Sequence, residues 1–258
     1  MTEEIAIGSD HHGDVETLEE ELEGAEDAEH IYYAGDAGQM YIDADHPMRQ
    51  YQEEGMETRE ALDIYVSKHP EEARKYFEDV IESTKRTREL LDRYDPSDIT
   101  HFAGNGVMVW DGLIEKYFPE MELVSSIYDE MNIPYETLSK VDHYGETSVI
   151  TVPFPMDDEL EDSLAESIEE ILHYQPRKII QIQHEHPTDE AGRGRKCEHK
   201  ELYYDIMRRL SNLDSVEEYQ LYYGHIQKGL EEFRFTDKEF GIEMIHSHEG
   251  GRFTRGKL

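Results

Sequence analysis

The stretch IAIGSDHHGDVETLEEEL, residues 5–22, places Asp10, His11 and His12 between an apolar run and a helix start. Two imidazoles and a carboxylate would be costly if buried without a partner. A divalent cation is one partner that takes such groups together. Asp10 and His12 are two residues apart, so in extended backbone they point to the same side, with His11 between them facing away. Further polar residues recur in similar settings: Asp36 after HIYYAG, Asn105 after ITHFAG, His184 after KIIQIQ and His225 after YQLYYG. A glycine directly precedes three of them (Gly35, Gly104, Gly224), where a bend can turn the side chain toward a shared pocket. Taken singly, each has an ordinary reading. Gly-Asn is a common turn dipeptide, and a histidine after a strand is an ordinary hydrogen-bonded surface residue. Carboxylate, amide and imidazole in one ordered series point instead to a divalent metal such as Mn²⁺, Fe, Zn²⁺ or Co²⁺.

The elements that must position these residues follow from periodicity. EIAIGS, residues 4–9, reads as a strand with Ile5 and Ile7 on one face. Asp14 is placed to cap a helix carrying Val15, Leu18 and Leu22. HIYYAGDAG is a second short strand that ends at Gly35. Residues 48–94 read as two helices separated at KHPEEA, with Pro70 at a first helical position and His69 extended before it. The apolar stripe of this arm is Leu62, Tyr65, Val66, Tyr76, Phe77, Val80, Leu90 and Leu91. It reads as a helical layer over a sheet, with a lid or dimerisation arm as the alternative.

DITHFAGNG and SVITVPFP are further strands. An amphipathic helix follows, with Leu160, Leu164, Ile168 and Leu172. RKIIQIQHEHP is a strand, TDEAGRGRKCEH a polar loop, KELYYDIMRRLSNL a helix and EYQLYYGHIQKG a strand and turn. FGIEMIHSHEGGRF reads as the final strand. Strands alternating with helices argue for an α/β layered fold, in which sites gather outside the carboxyl ends of strands.

Composition narrows the classes. The 258 residues suffice to bury a core, and 17 Tyr and 8 Phe provide large apolar areas. No apolar run approaches the roughly 18 residues of a membrane helix, and no basic stretch followed by an apolar one marks a signal peptide. The expectation is a soluble cytoplasmic protein without membrane partners. Cys197 is the single cysteine, so no intrachain disulfide forms, and its neighbours Arg195, Lys196, Glu198 and His199 predict an exposed loop. The formal net charge is −36, from 61 acidic and 25 basic residues. The acids run through every segment, a halophile pattern: at molar salt the Debye length falls to about 3 Å and self-repulsion is screened. The rival reading is a surface that repels nucleic acid and membranes.

The ordered clusters Asp10-His11-His12-Gly13, Gly35-Asp36, Gly104-Asn105-Gly106, His184 in IQHEHP and Gly224-His225-Ile226-Gln227 resemble the calcineurin-like metallophosphoesterases. That family's motifs are DxH, GD, GNH(D/E), a strand-end H and GHxH. The resemblance covers residues 4–44 and about 98–256, and the chain length is closest to the smaller phosphodiesterase and phosphatase branch. It implies a four-layer α-β-β-α sandwich of two mixed sheets flanked by helices. Residues 1–258 would form one such domain, with the helical arm at about 48–94 as an insertion. It implies a two-metal site, with Mn²⁺ the first choice, in which Asp10, His12 and Asp36 hold one ion and Asp36 bridges to another held by Asn105, His184 and His225.

The implied activity is hydrolysis of a phosphodiester or phosphomonoester by a hydroxide bridging the metals, with Asp36 and Asn105 the positions on which turnover depends. The implied partner is a phosphate-ester small molecule or nucleotide. Self-association through the helical arm is a further expectation. Nucleic acid has little support, because Arg193, Arg195 and Lys196 make the only compact basic stretch.

Two positions depart from the family pattern. Gly106 stands where a histidine aids the leaving group, a role typically worth about 10²–10⁴-fold. Gln227 stands where a histidine binds the first metal; its neutral amide oxygen ligates more weakly than imidazole, so the first site is expected to be weak or held by another group. His11, His186, His246 and His248 are substitutes in sequence terms, each with an ordinary reading as a surface histidine. IHSH is an alternative to YGHIQ for the last motif. A catalytically degenerate protein that binds metal, nucleotide or a protein without turnover is therefore the competing reading.

Overall fold

The computed structural model describes residues 3–38, 46–51, 56, 58–104, 106–133, 135–154, 158–188, 197, 199–224, 234–246 and 253–258. In chain order the elements are β1 (Glu4–Gly8), α1 (Val15–Glu23), β2 (His30–Ala34), a 3-10 turn (Pro47–Tyr51), α2 (Thr58–Lys68), α3 (Pro70–Leu91) and β3 (Ile99–Phe102). Then come α4 (Gly106–Tyr117), α5 (Val124–Asp129), β4 (Tyr135–Glu136), β5 (Lys140–Tyr144), β6 (Thr147–Val152), α6 (Asp158–Tyr174) and β7 (Lys178–Gln183). The chain closes with α7 (Lys200–Ser211), β8 (Glu218–Tyr223), β9 (Arg234–Thr236), β10 (Glu243–His246) and β11 (Thr254–Lys257).

Two mixed sheets stack face to face. One runs β11-β1-β2-β3-β4, the other β5-β6-β7-β8-β10-β9. β1, β2, β3 and β4 are parallel in the first sheet, as are β6, β7, β8 and β10 in the second. The antiparallel members β11, β5 and β9 sit at the edges. Strand alternation gives the interior directly. Ile5, Ile7, Tyr32, Ala34 and Phe102 from one sheet meet Val149, Ile180, Ile182, Tyr222 and Ile245 from the other. Residues one step out of phase line the outer faces. Ala6, Ile31, Tyr33 and Ile99 pack on Leu18 and Leu22 of α1 and Leu90 and Leu91 of α3. Ile150, Ile179, Leu221 and Met244 pack on Leu164, Ile168 and Ile171 of α6 and Tyr203, Ile206 and Leu210 of α7. Each buried Ile or Leu contributes roughly 1.5–3 kcal/mol of transfer free energy. The result is an α-β-β-α sandwich.

Local signals set several boundaries. The Asp14 side chain accepts hydrogen bonds from the Thr17 amide (3.1 Å) and hydroxyl (2.8 Å), capping α1. Pro70 begins α3, but His69 before it is not extended as expected: at φ −131° and ψ 57° it lies outside both the extended and the helical regions. The 48–94 arm is covered by its own chain: Ala73, Phe77, Val80 and Ile81 pack on Val107, Trp110, Leu113 and Ile114 of α4 and Ile127 and Tyr128 of α5. It forms a helical layer, and no described helix is long and apolar enough to cross a membrane.

Three further expectations are corrected. The 243–246 strand is not the last; β11 follows and pairs antiparallel with β1. The segment after the third strand holds two helices, α4 and α5, that the sequence reading does not include. Cys197 is buried rather than exposed, packed with Tyr203 and Ile206 because α7 lays an apolar face over it despite its charged neighbours.

Candidate metal centre

β1 and β2 are parallel neighbours, and the turns at their carboxyl ends are stitched together. The Asp10 amide donates to the Gly35 carbonyl (3.1 Å), His12 to Asp36 (2.9 Å) and Gly13 to Ala37 (2.8 Å). Asp10, His12 and Asp36 all take left-handed backbone, at φ 59°, 48° and 53°. Non-glycine residues seldom adopt it, and such positions cost about 1–3 kcal/mol each and persist where surroundings over-determine them. The backbone ladder between the two turns is that over-determination.

Across the interface, β7 delivers His184. One carboxylate oxygen from each of Asp10 and Asp36 and one ring nitrogen of His184 all lie within 4.8 Å of one another, and all three residues are buried. His184 Nδ1 is 2.8 Å from the Ala34 carbonyl oxygen. A carbonyl only accepts, so Nδ1 carries the hydrogen and Nε2 faces Asp36 Oδ2 at 3.4 Å. The other oxygen, Asp36 Oδ1, accepts from the Gly106 amide at 2.9 Å, at the start of α4. The positive end of that helix favours the charged carboxylate. His12 Nε2 lies 3.6 Å from Asp10 Oδ1.

Two glycines make room for the carboxylates. A Cβ on Gly104 would stand 2.3 Å from Asp36 Oδ1, and one on Gly224 would stand 2.3 Å from Asp10 Oδ2. Any other residue at either position would displace a carboxylate.

The electrostatics follow. Burial opposes the charge on Asp10, but His184 and His12, with a hydrogen bond from Ser9, hold its carboxyl far below the usual range. Burial likewise opposes charge on Asp36, yet His184 and His12 hold it down while Asp10 pushes it up. Burial disfavours the His184 imidazolium, but Asp36 and Asp10 lift its pKa to about 9. Two charged carboxylates buried within 4.8 Å of one another favour a cation beside them. The His184 proton is the one the chain itself provides, and a divalent ion is the one the donor set also fits.

Of the residues singled out from sequence, Asp10, Asp36 and His184 come together, with His12 at the rim. Asn105, His225, Gln227 and His248 lie outside the described residues, as do Arg193, Arg195 and Lys196. Three expected surface histidines are buried instead. His11 bonds to Tyr33 and Glu21, His186 packs in the interior just past His184, and His246 lies in β10 beside the Tyr223 ring. Sequence reasoning also missed partners that shape the site. Ser9 bonds to Asp10, Tyr128 accepts from the Gly38 amide at 3.1 Å, and His101 lies fully buried among the rings of Tyr33, Tyr128 and Tyr135. Their signal was slight: a serine next to Asp10, a tyrosine on α5 and a histidine within the apolar strand β3.

No family model matches the chain, and no curated protein matches it. Among solved structures it is similar to TT1561 of Thermus thermophilus, at 13% identity and TM-score 0.44 over 100% of this chain and 99% of that one. A second structure is similar at 10% identity and TM-score 0.45, over 100% of this chain and 99% of that one. Likeness at this level assigns neither family nor activity.

Proposed function

We propose that the chain is a metal-dependent phosphoesterase of the calcineurin-like type, hydrolysing a phosphodiester or phosphomonoester. The observation that carries this reading is the buried Asp10–Asp36–His184 group, assembled from the carboxyl ends of strands in both sheets. Asp10, Asp36 and His184 would hold divalent metal, with His12 beside them. Asn105, His225 and Gln227 join them on the strength of the resemblance alone. Ions held there would supply Lewis-acid polarisation of a phosphoryl group and would acidify a water.

The chain's own residues support this. Asp36 presents one oxygen toward the Gly106 amide and the other toward His184, so its carboxylate is reached from two sides. The Ala34 carbonyl fixes the His184 tautomer and leaves Nε2 for the pocket. Histidines that ligate metals commonly have their other nitrogen fixed in this way. Nothing in this division of labour needs a serine or cysteine nucleophile.

The test is hydrolysis of bis-p-nitrophenyl phosphate and p-nitrophenyl phosphate with Mn²⁺ in molar KCl. The salt is chosen because a net charge of −36 favours a halophilic setting. Turnover that Asp36→Ala and Asn105→Ala both leave untouched would eliminate the proposal. A second reading, metal binding without turnover, draws on Gly106, whose amide is engaged by Asp36 and which has no side chain to offer a leaving group. One tightly bound ion, with no hydrolysis across a panel of phosphate esters, favours that reading.

A further inference from the structure

His11 stands between Asp10 and His12 and is held at three points. Its amide donates to the Tyr33 hydroxyl oxygen at 3.1 Å. The same hydroxyl lies 2.5 Å from His11 Nδ1, and His11 Nε2 lies 2.8 Å from Glu21 Oε2. The Tyr33 oxygen accepts from the amide. A carboxylate oxygen only accepts, so Nε2 carries the ring hydrogen and donates to Glu21, which leaves Nδ1 of the neutral ring to take the Tyr33 hydrogen. The His11 and Glu21 side chains are only 1% and 4% exposed. Phe253 closes the cluster, with its ring centroid 5.9 Å from that of His11 and 6.1 Å from that of Tyr33. Glu21 Oε1 has no hydrogen-bond partner among the described residues, but Tyr33 and His11 are engaged at each of these atoms, and buried bonds of this kind rigidify their surroundings. Here they rigidify a residue flanked on both sides by left-handed backbone, Asp10 at φ 59° and His12 at φ 48°.

We propose that Tyr33, His11 and Glu21 form a positioning array that holds Asp10 and His12 in metal-binding geometry, a role that rests on the metal-centre reading above. The array works from the outer face of the five-stranded sheet. Tyr33 belongs to the layer packed under α1, and Glu21 is on α1 itself. The first helix is thereby tied to the aim of the carboxylate. Neither Tyr33 nor Glu21 is placed at the metal; both act through His11.

The experiment titrates Mn²⁺ into the full chain by calorimetry in molar KCl, well below the melting temperature. It compares the parent protein with Tyr33→Phe, Glu21→Leu, Glu21→Gln and the distant core control Ile206→Val. Backbone carbon shifts of Asp10 and His12 are read by NMR in the metal-free proteins. Partners that orient a ligand typically change metal affinity about 10–100-fold, so Tyr33→Phe and Glu21→Leu are expected to weaken binding by that range and move both residues' shifts. Glu21→Gln keeps an acceptor for Nε2 and is expected to stay within a few-fold of the parent. Ile206→Val is expected to change neither readout. If Tyr33→Phe does not fold, the contrast between Glu21→Leu and Glu21→Gln decides alone.

Unchanged Mn²⁺ affinity in the leucine and phenylalanine variants overturns the proposal. So does an equal loss in Ile206→Val, which would mark general loosening. If the parent binds no Mn²⁺, the metal reading fails separately. The shifts then decide: movement at Asp10 and His12 keeps the array, and no movement overturns it.

Discussion

Asp10, His12 and Asp36 leave the five-stranded sheet on left-handed backbone, whereas His184 leaves the six-stranded sheet with no such turn. The first group is held by a ladder of amide bonds between the two turns, by Gly104 and Gly224 at their oxygens, and by the Tyr33–His11–Glu21 cluster. His184 is oriented at Nδ1 by a hydrogen bond to the Ala34 carbonyl of the opposite sheet, with Nε2 toward Asp36. Charge accounts for part of the difference. Burial and Asp10 oppose the charge on Asp36 while His184 and His12 hold it down, so like charges meet at two of the left-handed positions. His12 shares the backbone without sharing the charge, so the amide ladder between the turns is what all three have in common.

The largest effect that would break this contrast is expected from Asp36→Ala. It removes the carboxylate that faces both Gly106 and His184, and Mn²⁺ affinity should fall at least about a hundredfold with hydrolysis lost, a loss exceeding that of a mere orienting partner. Calorimetry and turnover on bis-p-nitrophenyl phosphate measure both.

Next in size is the acid response of His101, which lies on the five-stranded side. Burial pushes its imidazole down to about 3, against a modest upward pull from Asp36. The unfolded chain takes up a proton near the ordinary value of 6.5 that the native state refuses until about 3. Stability from this group is thus complete above 6.5 and is lost as pH falls through that window, on the order of a few kcal/mol. His101→Leu should flatten the decline, as read by denaturant unfolding at a series of pH values. An unchanged slope would show that other groups dominate acid unfolding.

Smaller again is Gly104→Ala. Its Cβ would stand 2.3 Å from Asp36 Oδ1, and overpacking of this kind costs about 1–3 kcal/mol. Mn²⁺ affinity should fall about tenfold with it, since Asp36 must move. The smallest effect sharpens the comparison. Gly145 has φ 59° with nothing within 4 Å of its would-be Cβ, so Gly145→Ala should cost about 1–2 kcal/mol of backbone strain and leave Mn²⁺ affinity unchanged. Equal affinity losses in the two alanine variants would mean that close approach to Asp36 is not what Gly104 provides.

Much of the framework was legible in local sequence. The Asp14 cap, the break at Pro70 and the alternation that sends Ile5 and Ile7 inward depend on neighbours within a few residues. Helix α4 is absent from the sequence reading, which ends at the Gly-Asn-Gly turn, although Val107, Trp110 and Ile114 fall at helical spacing just after it. Strand β11 was not legible. Four residues, TRGK, become a strand only because the edge of β1 lies open to them. Charged neighbours predict exposure for Cys197, but α7 covers it. His11 has the ordinary reading of a surface histidine, but Tyr33 and Glu21 satisfy it in the interior.

By itself, the order of residues determined which side chains lie at strand ends and the chemistry they carry: two carboxylates, an imidazole, and glycines beside them. Those properties are covalent or depend on contacts a few residues long. Which of these groups share a pocket was decided only by the stacking of the two sheets, because Asp10 and His184 are 174 positions apart. Chain entropy gives such distant groups no preferred separation until the apolar faces between them are buried.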